Sequence, residues 1–227
     1  MSRPATTHTP SPAATRTFLL LGPPGCGKGT QAERLAKHFS IPAISTGEMI
    51  RAEIKAGTEL GKVAAAVTIT GGLLSDELVN QIVRSRLSKD DCRGGFLLDG
   101  YPRTIPQAEY LAGLLEQLGF PQPLVLHIDV PSELLIQRAC NRRYCPQCGA
   151  IYNLSTHPPN RAGRCDACGT DLKQRDDDCE DTVRNRLAAY ARNTAPLIAR
   201  YSAGRYARVD GSGSPDDVYR AILAALG

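Results

Sequence analysis

Gly22-Pro23-Pro24-Gly25-Cys26-Gly27-Lys28-Gly29-Thr30 stands directly after the apolar run Phe18-Leu19-Leu20-Leu21. The order reads as a buried strand, a glycine-rich turn and the start of a helix. Such a turn aims backbone N–H groups and a helix N-terminus at a phosphate chain. Lys28 adds a mobile positive charge near a phosphate in transfer. The common form of this loop has Ser or Thr directly after the lysine. Here Gly29 holds that place and Thr30 follows one later, which narrows the kind of loop. A plain strand-to-helix connection would need glycines, but neither the lysine nor the amphipathic stretch behind it.

Outward from the loop, Leu35, Ala36 and Phe39 carry the apolar face of the first helix. Residues 42–45 read as a short strand, and 47–67 as helix in two pieces broken near Gly57. Leu78, Val79, Ile82, Val83 and Leu87 recur at helical spacing over 76–87. Residues 95–100 read as a buried strand ending in a turn, 106–118 as helix, and 124–129 as a further apolar strand. Ser132 is placed to cap a helix reaching about Arg143. Arg138 and Arg142, four apart, then share a face of it. An irregular, cysteine-bearing stretch fills 144–173. A long helix over 180–202, strained near Pro196, precedes a last strand at 206–209 and a last helix at 216–226. Apolar strands alternating with helices specify an α/β fold, a parallel sheet covered on both faces. Ligands of such sheets bind beyond the carboxyl ends of the strands, where the phosphate loop and Asp99-Gly100 both fall.

The chain has 227 residues, enough for one core with inserted lobes. A net charge of +4 is too small to argue for nucleic acid or membrane. Positive charge is expected to cluster around phosphates instead. No apolar run approaches the ~20 residues that span a bilayer. Residues 1–16 are rich in Thr, Ser, Pro and Ala, with two Arg and no acid. They read as a disordered extension. Their acid-free, hydroxyl-rich character resembles a transit peptide, but so few arginines among several prolines make a poor targeting helix. A secretory signal would need an apolar central region, which is missing.

Eight cysteines need explanation. Cys145-Pro146-Gln147-Cys148-Gly149 and Cys165-Asp166-Ala167-Cys168-Gly169 are matching knuckles, C-x2-C, sixteen residues, C-x2-C. Thiolates at this spacing suit a closed tetrahedral zinc site. With every ligand from the protein, such a metal is structural. Disulfides and iron stay open as alternatives. Cys26 sits in the phosphate loop, where it reads first as a small loop residue; an electropositive setting that lowered its pKa would make it open to alkylation.

Four separated stretches, GPPGCGKGT (22–30), STGEMIR (45–51), GLLSDELV (72–79) and GFLLDGYPRTIPQAE (95–109), occur in this order. Together they resemble the adenylate kinase family, over residues 17–227. The resemblance implies a P-loop nucleotide-kinase fold. Its parallel five-stranded sheet is flanked by helices, with an AMP-binding insert at about 45–74 and a zinc-ribbon-like lid at about 141–178, both closing on substrates. It implies reversible phosphoryl transfer from Mg2+·ATP to AMP, giving two ADP, for adenine nucleotide homeostasis.

The same resemblance assigns residues. Gly25, Cys26, Gly27, Lys28, Gly29 and Thr30 bind ATP phosphates. Ile151 and Tyr152 touch ATP from the lid. Arg51 and Arg103 clamp the AMP phosphate, as paired guanidinium hydrogen bonds allow. Thr46 and Gln107 read the adenine beside Leu73 and Leu74, and the Gly100 backbone approaches AMP. Thr104-x-x-Gln107 is also a helix capping box. Asp99 holds Mg2+ through water. Arg138 and Arg142 on the ATP side, and Arg175 and Arg186 on the AMP side, stabilise the charge of the moving phosphoryl group. Asp177 and Asp178 lie at the lid hinge. Cys145, Cys148, Cys165 and Cys168 hold Zn2+, as in members with a zinc lid. Residues 209–215 resemble the loop near the donor adenine, one residue longer. A kinase for another nucleoside monophosphate, or one using GTP, is the near alternative. A zinc-ribbon P-loop NTPase gripping nucleic acid is the distant one. Its stacking aromatics are scarce here, at 5% with no Trp. A cytoplasmic monomer acting on free nucleotides is expected.

Overall fold

The computed structural model describes residues 15–226. Residues 1–14 of the expected extension lie outside them. Arg16 belongs to the fold: it opens strand β1 (Arg16–Leu21), and its guanidinium lies 4.7 Å over the Phe39 ring.

The central sheet is parallel, in the order β2-β3-β1-β4-β7. Its other strands are β2 (Ala43–Ser45), β3 (Gly95–Asp99), β4 (Leu124–Asp129) and β7 (Tyr206–Asp210). Side chains alternate along β1. Leu19 and Leu21 pack into one apolar cluster, while Phe18 and Leu20 pack into the other. This two-sided burial is why the strand reads as an unbroken apolar run. Each such leucine is worth about 1.5–3 kcal/mol on burial.

One face carries α1 (Lys28–Phe39) and α9 (Pro215–Leu226). The other carries α4 (Asp76–Leu87) and α5 (Ile105–Leu118). Since β1 lies between β3 and β4, the order reverses at β1, and a crevice opens at the carboxyl ends.

The first insert is a pair of helices, α2 (Thr46–Ala56) and α3 (Glu59–Thr68). Ser45 Oγ accepts from Glu48 N–H at 3.4 Å and Thr58 Oγ1 from Gly61 N–H at 3.0 Å, so both helix starts are capped. Gly61 is needed because a Cβ there would lie 2.1 Å from Glu53 O of the facing helix.

Helix α6 (Ser132–Cys140) departs from expectation at both ends. Pro131 takes the cap position and Ser132 is already helical. At the other end, Arg142–Tyr144 forms strand β5, antiparallel to β6 (Ile151–Asn153). Arg138 and Arg142 therefore do not share a helix face. The β5–β6 ladder and the ion pair of Arg142 with Asp178 both require the extended conformation there. The long C-terminal helix is α7 (Glu180–Ala189), a π-helical turn (Tyr190–Thr194) and α8 (Pro196–Ser202). Pro196 lacks an N–H and crowds the preceding turn, so the helix restarts with proline in its first turn. Among the described residues no helix is long and apolar enough to cross a membrane.

Candidate active site and cysteine lid

The turn after β1 places Gly25 (φ 86°) and Gly27 (φ 96°) in the left-handed region. A Cβ on Gly25 would meet Leu135 O at 2.8 Å, so the loop can lie this close to α6 only with glycine. Helix α1 then starts at Lys28 with no side-chain cap. Its first N–H groups are left to face an anion. Lys28 Nζ folds back onto Gly22 O (2.7 Å) and Pro23 O (2.9 Å). Of the two readings of Cys26, the structure favours the small loop residue over the reactive thiol. Cys26 is buried, and burial pushes its pKa up despite the opposing charge of Lys28.

Loop, inserts and lid enclose a cleft of about 1310 Å³. Of the residues expected to bind nucleotide, Gly25 to Thr30, Arg51, Leu73, Asp99, Gly100, Arg103, Arg138, Arg142, Ile151, Tyr152, Arg175, Asp177 and Arg186 line it. Thr46, Leu74, Gln107 and Asp178 do not. Leu74 is buried in the core with Val79 and Val83. Thr46 is buried and donates to Gly100 O at 2.9 Å. Gln107 is buried with both ends of its amide engaged. Its Oε1 accepts from Arg103 N–H at 2.7 Å and its Nε2 donates to Asp76 Oδ1 at 2.8 Å. The capping box is thus half formed. Thr104 Oγ1 accepts from Gln107 N–H (3.2 Å), but the returning Gln107 oxygen lands on Arg103 N–H.

Arg51, Arg103, Arg142, Arg175 and Arg186 form one electrostatic neighbourhood with Asp177 and Asp178. Arg142 forks onto the fully buried carboxylate of Asp178, Nε to Oδ2 at 2.7 Å and the second nitrogen to Oδ1. Arg186 reaches Asp177 Oδ2 at 2.9 Å and Asp178 Oδ1 at 3.5 Å. Burial alone would raise the Asp177 pKa, but the guanidiniums of Arg186, Arg51, Arg142 and Arg175 hold it below the usual carboxylate range. Burial also discourages charge on Arg175; with Arg142 and Arg51 alongside, its pKa falls to about 10. Arg103 is lowered by burial and then by Arg186. Such a cluster gains from an anion that neutralises it.

Arg138 stands apart from this group. Its guanidinium donates to the carbonyls of Gly211 (2.6 Å), Ser212 (2.9 Å) and Gly213 (3.2 Å), tying α6 to the loop before α9. Asp99, at the end of β3, faces the phosphate loop. A Cβ on Gly29 would be 3.9 Å from its Oδ2, and it makes no ion pair among the described residues. A carboxylate so placed fits a water-bridged magnesium ion.

In the lid, the Sγ atoms of Cys145, Cys148, Cys165 and Cys168 lie within 4.8 Å of one another. The separations are 3.4 Å for 145–168, 3.5 Å for 148–165 and 3.7 Å for 148–168. A tetrahedron of Zn–S bonds of ~2.3 Å sets sulfur atoms ~3.8 Å apart. The donor set and its spacing therefore fit zinc, and no cysteine pair is a disulfide.

Sequence reasoning passed over Asp76, which holds Gln107 and accepts from Thr104 Oγ1 at 2.9 Å. It also passed over Tyr190 and Thr194, which the π-helical turn aims into the cleft. Pro196 was the only local signal.

A sequence model described as adenylate kinase matches residues 20–205. An adenylate kinase of Caldicellulosiruptor bescii is 50% identical over 211 residues, covering 92% of this chain and 98% of that protein. One of Trichlorobacter lovleyi is 49% identical over 210 residues, covering 92% and 98%. One of Methanococcoides burtonii is 47% identical over 209 residues, covering 92% and 97%. With the parallel sheet, the phosphate loop at its switch point and the arginine-lined cleft, these matches establish that the chain belongs to the adenylate kinase family.

Proposed function

We propose that the protein transfers the terminal phosphoryl group of Mg·ATP reversibly to AMP, giving two ADP. One observation carries the reading: the guanidiniums of Arg51, Arg103, Arg142, Arg175 and Arg186 share a cleft with an uncapped helix start and Lys28. A moving phosphoryl group spreads negative charge over its oxygens, so catalysis is positioning and charge stabilisation rather than covalent chemistry.

The placement of these side chains supports the following roles. The N–H groups from Gly25 to Thr30 cradle the donor phosphates, and Lys28 leaves its loop carbonyls to follow the transferred group. Arg51 and Arg103 hold the acceptor phosphate. Arg142, Arg175 and Arg186 surround the group in transfer. Asp177 and Asp178 fix their directions, and Asp178 is a positioning residue because it acts through Arg142. Arg138 serves the donor side by shaping residues 211–213. Leu73 flanks the acceptor base and Leu74 supports it from the core. Thr46 and Gln107 read the adenine only after exchanging present partners, Gly100 O for Thr46 and Asp76 or Arg103 N–H for Gln107.

A magnesium ion, when bound, supplies charge neutralisation on the phosphate oxygens, and Asp99 would hold it through water. Zinc, held by Cys145, Cys148, Cys165 and Cys168, is structural. Closure of the lid (about 141–178) and the α2–α3 insert (about 45–74) excludes water, the competing acceptor. Ile151 and Tyr152 then reach ATP. We read the enzyme as a cytoplasmic monomer acting on free nucleotides.

The deciding experiment is ADP formation from Mg·ATP with AMP, GMP, CMP or UMP, beside a control without acceptor. Rapid turnover with AMP alone is expected. Preference for another acceptor would overturn the base assignment. No transfer by folded, metal-loaded protein would overturn the reaction.

A further inference from the structure

We propose that Thr194 is a positioning residue for Arg103, and that the π-helical turn at Tyr190–Thr194 puts it there. The inference rests on reading Arg103 as a clamp on the acceptor phosphate.

Arg103 lies half-buried in the cleft wall, where burial and the like charges of Arg186 and Arg51 disfavour its charge and the carboxylates of Asp99 and Asp177 favour it, the balance lying against the charge. Before an anion arrives, hydrogen-bond anchors help keep it aimed. Arg103 Nε donates to Gly100 O at 2.7 Å, and Arg103 N–H donates to Gln107 Oε1 at 2.7 Å. The Arg103 carbonyl accepts from Thr194 Oγ1 at 2.9 Å, across 91 positions of sequence. The last bond is the tie between this arginine's backbone and the helix that descends from the lid.

Thr194 departs from the usual habit of its residue type. A helical threonine ordinarily returns its hydroxyl to the carbonyl three or four residues back. Thr194 sends its hydroxyl out of the helix instead, and is almost wholly buried in doing so. The backbone explains how. Ala195 N–H reaches Tyr190 O at 2.9 Å, a five-residue step, and Asn193 Nδ2 covers Ala189 O at 3.1 Å. Pro196, with no N–H to give, breaks the regular ladder just beyond. The wider turn shifts the rotation of residue 194 relative to a regular helix. Turns of this kind recur at functional sites.

Removing the hydroxyl while keeping the side-chain shape tests this. In Thr194→Val the Arg103 carbonyl loses its partner and the guanidinium loses an anchor. KM for AMP should rise about five- to tenfold, the size of one modest hydrogen bond, with KM for ATP unchanged. Thr194→Ser, which restores the hydroxyl, should recover AMP affinity. Thermal unfolding of both variants checks that the fold persists. A wild-type KM for AMP in Thr194→Val would overturn the proposal. So would equal rises in both KM values that Thr194→Ser does not rescue, because that pattern is structural. Arg103→Ala is the reference. An unchanged KM for AMP in that variant would remove the acceptor role of Arg103 itself, and with it the premise.

Discussion

Beneath the cleft, Phe18 to Leu21 are buried in a sheet with helices on both faces, whereas in the lid only Cys145, Tyr152 and Cys165 form a buried cluster, with Ala150 and Leu172 against it. Apolar burial keeps the floor in place whatever binds. The lid has too little apolar surface for that. Its strands are three residues each, and its knuckles bring four sulfur atoms within 4.8 Å. Between the regions lies the arginine cluster, where charges face one another on a rigid base. A lobe with so little core can be metal-held, because its fold then need not depend on contacts with the rest of the chain.

Metal removal should separate the two regions most sharply. Structural zinc contributes about 10–16 kcal/mol of apparent folding energy in small isolated sites. Chelation, or Cys148→Ser, should abolish protease resistance across 145–172 and with it phosphoryl transfer, while the circular dichroism of the sheet persists. A metal-free lid that still resists protease would break the comparison.

The next effect belongs to chemistry alone. Arg175→Ala should lower kcat by about 10³–10⁵, the worth of one arginine in phosphoryl transfer, with unfolding temperature unchanged. Normal turnover in that folded variant would end its catalytic assignment.

Asp178→Asn probes the seam. It leaves the half-buried Arg142 without its forked partner, which costs about 3–5 kcal/mol for a buried pair, read by denaturant unfolding. A loss well below 1 kcal/mol would mean that water reaches the pair.

The two adjacent leucines give a smaller and finer contrast. Leu74→Ala should cost about 2–5 kcal/mol of stability. Leu73→Ala, in the cleft wall, should instead raise KM for AMP. Reversed results would exchange their roles.

The smallest effect is acid sensitivity at Asp177. Its folded pKa is depressed, so its contribution is full above the ordinary value of about 3.9 and disappears as pH falls through the lower folded value. Asp177→Asn should flatten that acid limb; an unaltered limb would mean that its surrounding guanidiniums do not stabilise the carboxylate.

Local patterns were legible where one residue type has one use. The apolar period placed every strand of the central sheet, and helix α4 begins and ends where expected. The glycines of residues 22–29 announced a tight turn, and paired C-x2-C announced a sulfur cluster. Misreadings arose where a distant partner decides. Four-residue spacing put Arg142 on the helix of Arg138, but a carboxylate 36 positions away holds it in a strand. For Cys26 the sequence left a small loop residue and a reactive thiol both open, and burial, which pushes its pKa up, decides for the former. Thr46 and Gln107 match base-reading positions in sequence, and only the fold shows that without a nucleotide their side chains bond Gly100, Asp76 and Arg103.

By itself, then, the sequence determined the α/β order, the phosphate loop and the sulfur cluster. Each of these is written in residues close enough in the chain for their spacing to dictate geometry. Only the tertiary structure decided which arginines share a cleft, which leucine faces it, and that Thr194 grips Arg103. Those relations join residues tens of positions apart, and burial and the pairing of opposite charges, which no local pattern encodes, select them.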